Sequence, residues 1–492
     1  MATAAAVTSL FPVDAASNNV SKETLAIERM RNVWIMIDSI MGGTKTMREA
    51  GPLLLPKFPA ETSDSYEYRK NTATMYPAYE HTVNVMAAKP FSRPIQVSED
   101  TDAAIEEWLD NVDREGRNLD TFAAELAEVA IAYGQAHIFV DYPITKPGMT
   151  VADEKALQVR PYLIMVKPTQ IVGFRSANGV ATQVRFREFV SEDSGEFGAR
   201  EVEQIRVLEP KSWSVWRKVK DARATETGWF EYDTGVNTLG EVPFVTIYAR
   251  RTGFMTSKPP MLQLAYLNVK HWQSQSDQDT ILHVARVPIL TVAGVDDAFE
   301  LTLGSKTATK LPVGATMGYT EHSGAAIGAG KVSLDDLKEE MRQAGSEMLV
   351  MRPGPNTRIE AAGESSASAS DLMRMVEGME DAFDKTIGLM AKWGGKPDSG
   401  EVTIFKEFGA LALGEATAPT IIQAGTAGYL SKESTFEELQ RRGVISADRS
   451  WEDEQARMEA DGPPVGNIDP ITNLPYTKPA APVQPVEPGP SE

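Results

Sequence analysis

Apolar side chains recur at helical spacing through the first part of the chain. Between residues 25 and 40 they return every three or four positions, which predicts a helix closed by Gly42 and Gly43. A stronger pattern predicts a helix from about Asp120 to Tyr133, with Asp120 as its N-cap and Gly134 as its C-terminal stop. The chain is therefore expected to begin with amphipathic helices.

Beyond Gly134 the hydrophobic period changes to two, which is the period of half-buried strands. Six short stretches have this pattern: 137–141, 162–166, 183–187, 205–208, 213–216 and 244–248. Turn residues such as Asn178-Gly179 and Ser194-Gly195 lie between some of them. These features predict an antiparallel β module inserted between helical regions.

A long helix is predicted from Pro259-Pro260 to about Val287, and its two parts differ. The first part has apolar residues at helical spacing, whereas the middle, from Gln273 to Thr280, is polar on every side. A helix of this kind cannot be anchored by a core of its own. It is therefore expected to be either a solvent-bridging rod or one stave of an oligomeric assembly.

The most regular helix is predicted after a Gly-rich segment (304–330), a second helix (334 to about 349) and a break at 352–357. One face of it is apolar and consists of Leu372, Met375, Val376, Met379, Phe383, Ile387 and Met390. A Met-rich face at this spacing is more typical of core packing than of a ligand site. The opposite face is acidic, and Gly394-Gly395 ends the helix.

Two or three more helices are predicted beyond residue 400. Ser434-Thr-Phe-Glu437 has the spacing of a capping box, with Ser434 as the N-cap. From residue 461 the chain is rich in proline, which predicts an extended, disordered tail. The fold class is therefore expected to be α+β, mainly helical with an inserted antiparallel β module.

Composition limits the classes of function that the chain can have. The chain has 492 residues, with 49 Lys and Arg against 69 Asp and Glu, giving a formal charge of −20. This argues against a protein that wraps nucleic acid through a basic surface. There is no cysteine, so disulfides, thiolate metal sites and cysteine nucleophiles are excluded. No apolar run is long enough to span a bilayer, so no membrane partner is expected.

Motifs for catalysis are missing. The sequence contains neither a complete phosphate-binding G-x-x-x-x-G-K-[ST] loop nor a G-x-S-x-G elbow. Gly42-Gly43-Thr44-Lys45-Thr46 faintly suggests a phosphate loop, but it follows a helix and is better interpreted as a helix end. None of the five histidines has the spacing of a metal pair. We expect no enzyme activity, no metal and no cofactor.

Two features leave alternatives open. Acidic clusters at Asp277 with Asp279, Asp335-Asp336 with Glu339-Glu340, and Glu380-Asp381 with Asp384 could hold Mg²⁺, although solvated helix faces are favoured. Trp213 and Trp216, close to Arg217, Lys218 and Lys220, could stack on nucleic acid, although a half-buried strand is favoured.

The order of several motifs resembles that of bacteriophage portal proteins, the head-to-tail connectors of tailed phages, over most of the chain. In sequence order the motifs are Asn32-Val-Trp-Ile-Met-Ile37, Leu54-Leu-Pro-Lys-Phe58, the Tyr-rich segment Ser63–Tyr76, Ala130-Ile-Ala-Tyr-Gly-Gln135, Pro260-Met-Leu-Gln-Leu-Ala-Tyr-Leu-Asn268 with Ser274 and Asp277, Glu364-Ser-Ser-Ala-Ser-Ala-Ser370, Leu439-Gln-Arg-Arg-Gly-Val444 and Trp451-Glu-Asp-Glu-Gln-Ala-Arg457.

This resemblance implies a homo-oligomeric ring of twelve subunits at one vertex of the capsid, assembled in the host bacterial cytoplasm and carried in the virion. Double-stranded DNA would pass through its channel during packaging and ejection. The implied protein partners are the terminase motor, the major capsid or scaffolding protein, and a tail or neck adaptor.

The resemblance also implies a division of the chain into regions. They are the wing with the helical N-terminus and β module (1–258), a stem helix (259–287), the clip (288–333), a second stem helix (334–351), the tunnel loop (352–366), the long central helix (367–399), the crown (400–460) and the Pro-rich tail (461–492). In an alternative register the clip lies in the β module, within 160–250.

Candidate site residues follow from these regions. The tunnel loop that faces DNA would consist of Arg352, Pro353, Gly354, Pro355, Asn356, Thr357 and Arg358. The stem and oligomer residues would be Gln273, Ser274, Asp277 and Asp279. Four scattered cations could touch phosphates: Lys331, Arg342, Arg352 and Arg358.

The net acidity suits a conduit, because basic walls hold DNA whereas acidic or neutral walls let it slide. We therefore expect much of the negative charge on the channel and the outer wing. Two other functions remain open from the sequence. One is a Mg²⁺-dependent phage nuclease that uses Asp335, Asp336 and Glu339. The other is a head–tail adaptor or morphogenesis protein, which would lack the long central helix.

Overall fold

The structure is a computed structural model of the chain. It describes residues 19–143, 159–218, 228–285, 289–294, 311, 313–320, 325–345, 358–397, 400–406, 414–441, 444–446 and 449–461. The chain divides into two compact units, Met1–Lys406 and Glu407–Glu492. Helices and antiparallel sheets both occur, so the expected α+β class is confirmed.

The N-terminal part of the first unit is helical. Its helices are α1 (Leu25–Met41), α2 (Gly43–Ala50), α3 (Ser63–Thr72), α4 (Ala78–Ala88), α5 (Ala103–Leu109) and α6 (Leu119–Tyr133). Gly42 closes α1, as predicted, and α2 begins directly after it. The Thr46 hydroxyl donates to the Ser39 carbonyl at 2.7 Å across this junction. The segment 42–46 therefore joins two helices and does not follow a strand.

The ends of α6 test the predicted caps. Gly134 ends the helix with φ +90°, as predicted. The predicted N-cap is wrong, because Asn118 caps the helix by accepting from the Thr121 amide at 3.0 Å. Asp120 instead accepts from the amide of Ile95 at 2.7 Å. Asn118 and Asp120 are both residue types that cap helices. Asp120 is instead used in the tertiary contact to Ile95, which the local sequence does not show.

The β module consists of two antiparallel sheets. The first has the order β3 (Tyr162–Val166), β2 (Gln135–Asp141), β9 (Phe244–Tyr248). The second is a five-stranded meander of β4 (Ile171–Ala177), β5 (Val180–Asp193), β6 (Ala199–Leu208), β7 (Ser212–Lys218) and β8 (Trp229–Val236). All six predicted stretches lie in strands, whereas β4 and β8 were not predicted.

Apolar packing fixes these sheets. The helix α6 and the strand β2 are buried over most of their length. On the larger sheet Val172, Ile205, Val207 and Trp229 form a cluster against which Trp216 packs. Trp213 and Trp216 are half-buried on β7, which confirms the strand interpretation of this pair. Four short strands form two separate two-stranded sheets: β1 (Gln96–Val97) pairs with β14 (Val402–Thr403), and β10 (Arg251–Gly253) with β11 (Thr256–Ser257).

The rest of the first unit contains three long helices and a hairpin. They are α7 (Leu262–Ala285), β12 (Ile289–Ala293) paired with β13 (Thr316–Thr320), α8 (Ala325–Gly345) and α9 (Arg358–Gly394). Helix α8 begins at Ala325, inside the segment predicted to have little helix potential. The strong helix formers Ala325, Ala326 and Ala329 outweigh its glycines. Among the helices that the structure describes, none is both long and apolar enough to cross a membrane.

The second unit contains α10 (Gly414–Thr426), α11 (Lys432–Arg441) and α12 (Trp451–Asp461). Its core includes Ala418, Ile421 and Leu439. The capping residue of α11 is Ser431, whose hydroxyl accepts from the Ser434 amide at 2.9 Å. The prediction of Ser434 as the N-cap is therefore wrong, because the helix begins earlier and Ser434 already lies in its first turn. The predicted tail from residue 462 onward lies outside the described residues.

Candidate assembly and channel residues

Helices α7 and α8 pack as an antiparallel pair. Gln278 Nε2 on α7 donates to the Ile327 carbonyl of α8 at 3.0 Å. Further along α8, Lys338 lies close enough to His271 for its charge to contribute to lowering the pKa of that imidazole. The later residue on α8, Lys338, is near the earlier residue on α7, His271, so the two helices run in opposite directions. In the sequence the β12–β13 hairpin lies between them.

The polar middle of α7 packs within its own chain. Ser276 is 2% exposed and Gln278 is 7% exposed, and Gln278 packs against α8. Gln273 Nε2 donates to the Leu54 carbonyl at 3.0 Å. The expectation that this helix has no core of its own is therefore wrong. Polarity alone did not reveal this packing, since the partners of Gln273 and Gln278 are distant in the sequence.

The four predicted stem residues lie in different surroundings. Gln273 is half-buried and hydrogen-bonded to the Leu54 carbonyl, and Ser274 is also half-buried. The Asp277 carboxylate lies 3.8 Å from Arg69 Nη1. Asp279 accepts from Gln275 Nε2 at 2.9 Å, one turn away on the same helix. The structure therefore connects Gln273 and Asp277 to the N-terminal part of the chain, while Asp279 has a local partner.

Arg69 is the centre of a buried polar network that the sequence did not indicate. Its Nε and Nη2 atoms each donate to one oxygen of Glu61 at 2.9 Å, and Nη2 also donates to the Pro56 carbonyl at 2.8 Å. The guanidinium carbon lies 4.1 Å from the centre of the Phe58 ring. The hydrogen bond from Arg69 is the main cause that lowers the pKa of Glu61. For Asp277, burial outweighs the nearby Arg69 charge, and the pKa is raised.

Several buried polar atoms of α7 are not paired. Both ring nitrogens of His271, Nε1 of Trp272 and Oγ of Ser276 have no hydrogen-bond partner among the residues that the structure describes. Burial, with a smaller contribution from Lys338, lowers the pKa of His271. This ring is therefore neutral at physiological pH.

The predicted tunnel loop is only partly described. Arg352, Pro353, Gly354, Pro355, Asn356 and Thr357 lie outside the described residues. Arg358 is the first residue of α9, so the part of the predicted loop from 358 to 366 is helical. Of the other candidate phosphate contacts, Lys331 is exposed, and Arg342 Nη1 lies 3.1 Å from Glu339.

The long helix α9 buries the predicted apolar face. The buried residues are Leu372, Met375, Val376, Met379, Phe383, Ile387 and Met390. This confirms that the Met-rich face belongs to the core. The helix packs against β2, β9 and α5, and so covers the smaller sheet.

The acidic side of α9 has a structural role. Glu380 accepts from the Ile404 amide at 2.7 Å and from Lys406 Nζ at 2.6 Å. Asp384 accepts from the Val402 amide at 2.7 Å. These carboxylates hold the strand segment that carries β14, so their hydrogen-bonding capacity is directed at backbone groups.

The acidic cluster of α8 forms exposed or half-exposed ion pairs. Asp335 lies 3.7 Å from Lys338 and Glu339 lies 3.1 Å from Arg342, both at i,i+3 spacing. Within the described parts of the chain, no group of three or more His, Asp or Glu side chains could hold a metal ion. The solvated helix face is therefore the arrangement found at this cluster.

His137 is a buried histidine with one partner. Its Nδ1 lies 3.0 Å from the Thr246 hydroxyl, and its ring is 0% exposed between β2 and β9. Burial lowers its pKa to about 3. It is thus a neutral core residue at physiological pH.

Comparison with known proteins gives one family match and several structural matches. Residues 260–394 match the family described as "Domain of unknown function (DUF4055)", and this range extends from just before α7 to the last residue of α9. No curated protein matches the chain.

Solved structures of gene transfer agent particles are similar to the chain at low identity. A chain of the "Virion of native gene transfer agent (GTA) particle" is 12% identical with a TM-score of 0.43, and the match covers 80% of this chain and 98% of that one. A chain of the "Neck of native GTA particle computed with C12 symmetry" is 13% identical with a TM-score of 0.43, covering 74% and 89%. A chain of the "Neck of empty GTA particle computed with C6 symmetry" is 14% identical with the same TM-score, covering 74% and 90%. At this degree of similarity no property of those particles is assigned to this chain.

Proposed function

We propose that this chain is a phage portal protein. Twelve copies would form a ring at one capsid vertex, through which double-stranded DNA is packaged and later ejected. The terminase motor, the major capsid or scaffolding protein and the tail or neck proteins would dock on this ring. The role is structural and needs no catalytic residue.

The observation that carries the proposal is the succession of α7, the β12–β13 hairpin, α8 and α9. An antiparallel helix pair interrupted by a hairpin and followed by a long helix is the arrangement that the portal resemblance implies for stem, clip and central helix. Helix α9 has 37 residues, or about 56 Å at the rise of an α-helix. The same elements span residues 260–394, the range of the family match.

The charge of the chain supports the conduit role. With a formal charge of −20 per copy, a ring would be strongly acidic. Acidic walls do not bind DNA phosphates, whereas Lys and Arg do. On α8, ion pairs bind two of the three cations, Lys338 and Arg342, to acidic neighbours of the same helix. Weak binding to passing DNA is consistent with these pairs.

The two alternatives receive less support. The nuclease would need several carboxylates converging on one metal ion, but Asp335 and Glu339 are each engaged by a cation. A small adaptor would lack a long central helix, whereas α9 is the longest helix that the structure describes.

Light scattering after size-exclusion chromatography tests the proposal. The expected mass is about twelve times the 53.7 kDa of one chain, and it should persist across salt and protein concentrations. A particle of one or two chains under all these conditions would contradict the proposal. Plasmid incubated with the protein and Mg²⁺ is expected to stay intact, and its cleavage would favour the nuclease.

A further inference from the structure

The β5–β6 hairpin extends beyond the rest of its sheet. Strand β4 pairs with β5 only as far as Phe186, and β7 pairs with β6 only from Gln204. The ladder between them continues to the pair Asp193–Ala199. Residues 189–203, hereafter the arm, therefore form a two-stranded projection, and no third strand lies beside it among the described residues, which omit 219–227.

The arm carries an exposed aromatic tip on a fixed turn. Phe197 is 95% exposed, and the Ser194 amide donates to the Gly198 carbonyl at 2.7 Å across the turn. Arg200 and Arg217 both bind the Glu192 carboxylate, at 2.8 and 2.6 Å, and so brace the arm. Phe189, on the same arm, is 58% exposed, so the arm presents two phenyl rings to solvent and offers apolar surface to a partner.

The charge of the arm tip is acidic. Asp193, Glu196 and Glu201 are all exposed there, while the single cation Arg200 is held by Glu192. A complementary partner would therefore offer an apolar surface with cations around it.

The same chain contains a cleft with that chemistry. It has a volume of about 790 Å³ and lies between α9 and the β9–β10 segment. Phe254, Met255 and Met375 supply apolar lining. The cleft is lined by two carboxylates, Glu241 and Asp381, and by four cations. The cations are Arg250, Arg251, Arg374 and Lys385. Glu241 is already bound by Lys392 Nζ at 2.9 Å, which leaves the cleft more basic.

The arm cannot reach the cleft of its own chain. Val180, at the start of β5, lines the cleft, whereas Asp193, at the end of the same strand, adjoins the arm tip. Thirteen residue steps along an extended strand separate the two ends by about 43 Å. A tip that enters such a cleft must therefore come from a second copy.

We propose that the arm of one copy docks in this cleft of the next copy. Phe197 enters the apolar part of the cleft, where its ring faces the guanidinium groups of Arg250 and Arg251, and the acidic tip residues meet the surrounding cations. The contact joins two different surfaces, so it is directional and repeats from copy to copy until a ring closes. The inference rests on the proposed ring and assigns residues to its subunit contact.

The absence of cysteine in the chain makes a direct test possible. In the double variant Phe197→Cys/Gly378→Cys, one cysteine lies at the tip and the other on the part of α9 that lines the cleft. The matched control is Phe197→Cys/Gly328→Cys, with the second cysteine on α8. A Cβ at Gly378 or at Gly328 meets no atom within 4 Å, so both substitutions are tolerated locally. After mild oxidation of full-length protein, non-reducing electrophoresis should show a ladder of covalent multimers for the first variant and monomers for the control.

Three other outcomes would contradict either the docking contact or the ring. If wild-type protein forms rings and the first variant gives no ladder, the docking contact is wrong while the ring stands. A disulfide within single chains would also overturn the contact. If wild-type protein stays monomeric at all concentrations, both the proposed function and the contact fail.

A charge exchange provides a second readout. Glu196→Lys and Arg251→Glu should each raise the concentration needed for assembly at least tenfold, and the combined variant should recover most of the loss because the pair is restored with reversed sign. Simple addition of the two single effects would contradict the contact.

Discussion

Arg69 and Glu61 form a buried ion pair with two parallel hydrogen bonds of 2.9 Å, and their side chains are only 3% and 4% exposed. The same guanidinium lies 3.8 Å from Asp277, so the pair connects α3 with the middle of α7. Helix α7 is thereby tied to the N-terminal region within one chain.

Breaking this pair should be costly. Arg69→Met leaves the Glu61 carboxylate buried without its partner, and we expect a loss of about 3 kcal/mol in the free energy of unfolding. The double variant Arg69→Met/Glu61→Met should recover much of it, since apolar side chains replace both charges. Urea unfolding at fixed protein concentration measures both. Lys45→Ala, which removes a highly exposed pair with Glu49, is the control and should have little effect.

His137 should make stability depend on pH. Its pKa is about 3 in the folded chain against the ordinary 6.5, so below pH 6.5 the unfolded chain takes up a proton that the folded chain does not. Stability therefore falls as the pH decreases from 6.5 towards 3. Between pH 7 and pH 5 the wild type should lose about 2 kcal/mol more than His137→Gln. Parallel curves of stability against pH for the two proteins would show that the pKa of His137 is not lowered in the folded chain.

Gly134 is restricted by both its backbone and its neighbours. Its φ is +90°, and a Cβ there would lie 2.7 Å from the carbonyl carbon of Lys258. Gly134→Ala should therefore destabilise the chain by about 3 kcal/mol. Gly179, with φ +79° and open space around a Cβ, is the matched control, and Gly179→Ala should cost only about 1 kcal/mol. Equal losses in thermal or urea unfolding would mean that the close approach of Lys258 is unimportant.

The two faces of α9 should respond differently to truncation. Phe383 is 0% exposed in the core, and Phe383→Ala should cost about 4 kcal/mol through lost burial and the cavity left behind. Met373 lies on the same helix at 40% exposure, and Met373→Ala should change stability by less than about 0.5 kcal/mol. Circular dichroism during urea unfolding compares the two. A small loss for Phe383→Ala would contradict the packing of α9 on the sheet.

Local sequence patterns predicted the regular elements well. The strands β3 and β9 begin and end where the alternation predicted, and the apolar face of α9 is buried at every position named from the sequence. Such elements follow from side-chain periodicity alone, because one face must meet the core whatever the topology is.

Features that depend on distant residues were missed. The burial of Gln278 depends on α8, and the role of Asp120 depends on the Ile95 amide. The Gly-rich segment up to Gly330 was predicted to have little helix potential, although Gly330 lies directly against Gln278 and allows the close approach of the two helices. The Arg69 network joins the segment 56–69 to Asp277 on α7, and nothing within 56–69 indicates that distant contact.

Electron microscopy of the purified full-length protein, with class averages viewed down the particle axis, shows whether the protein forms a ring with a channel. We expect closed rings of twelve copies around an open channel. Particles of one or two chains, or rings without an axial opening, at every salt and protein concentration would contradict it.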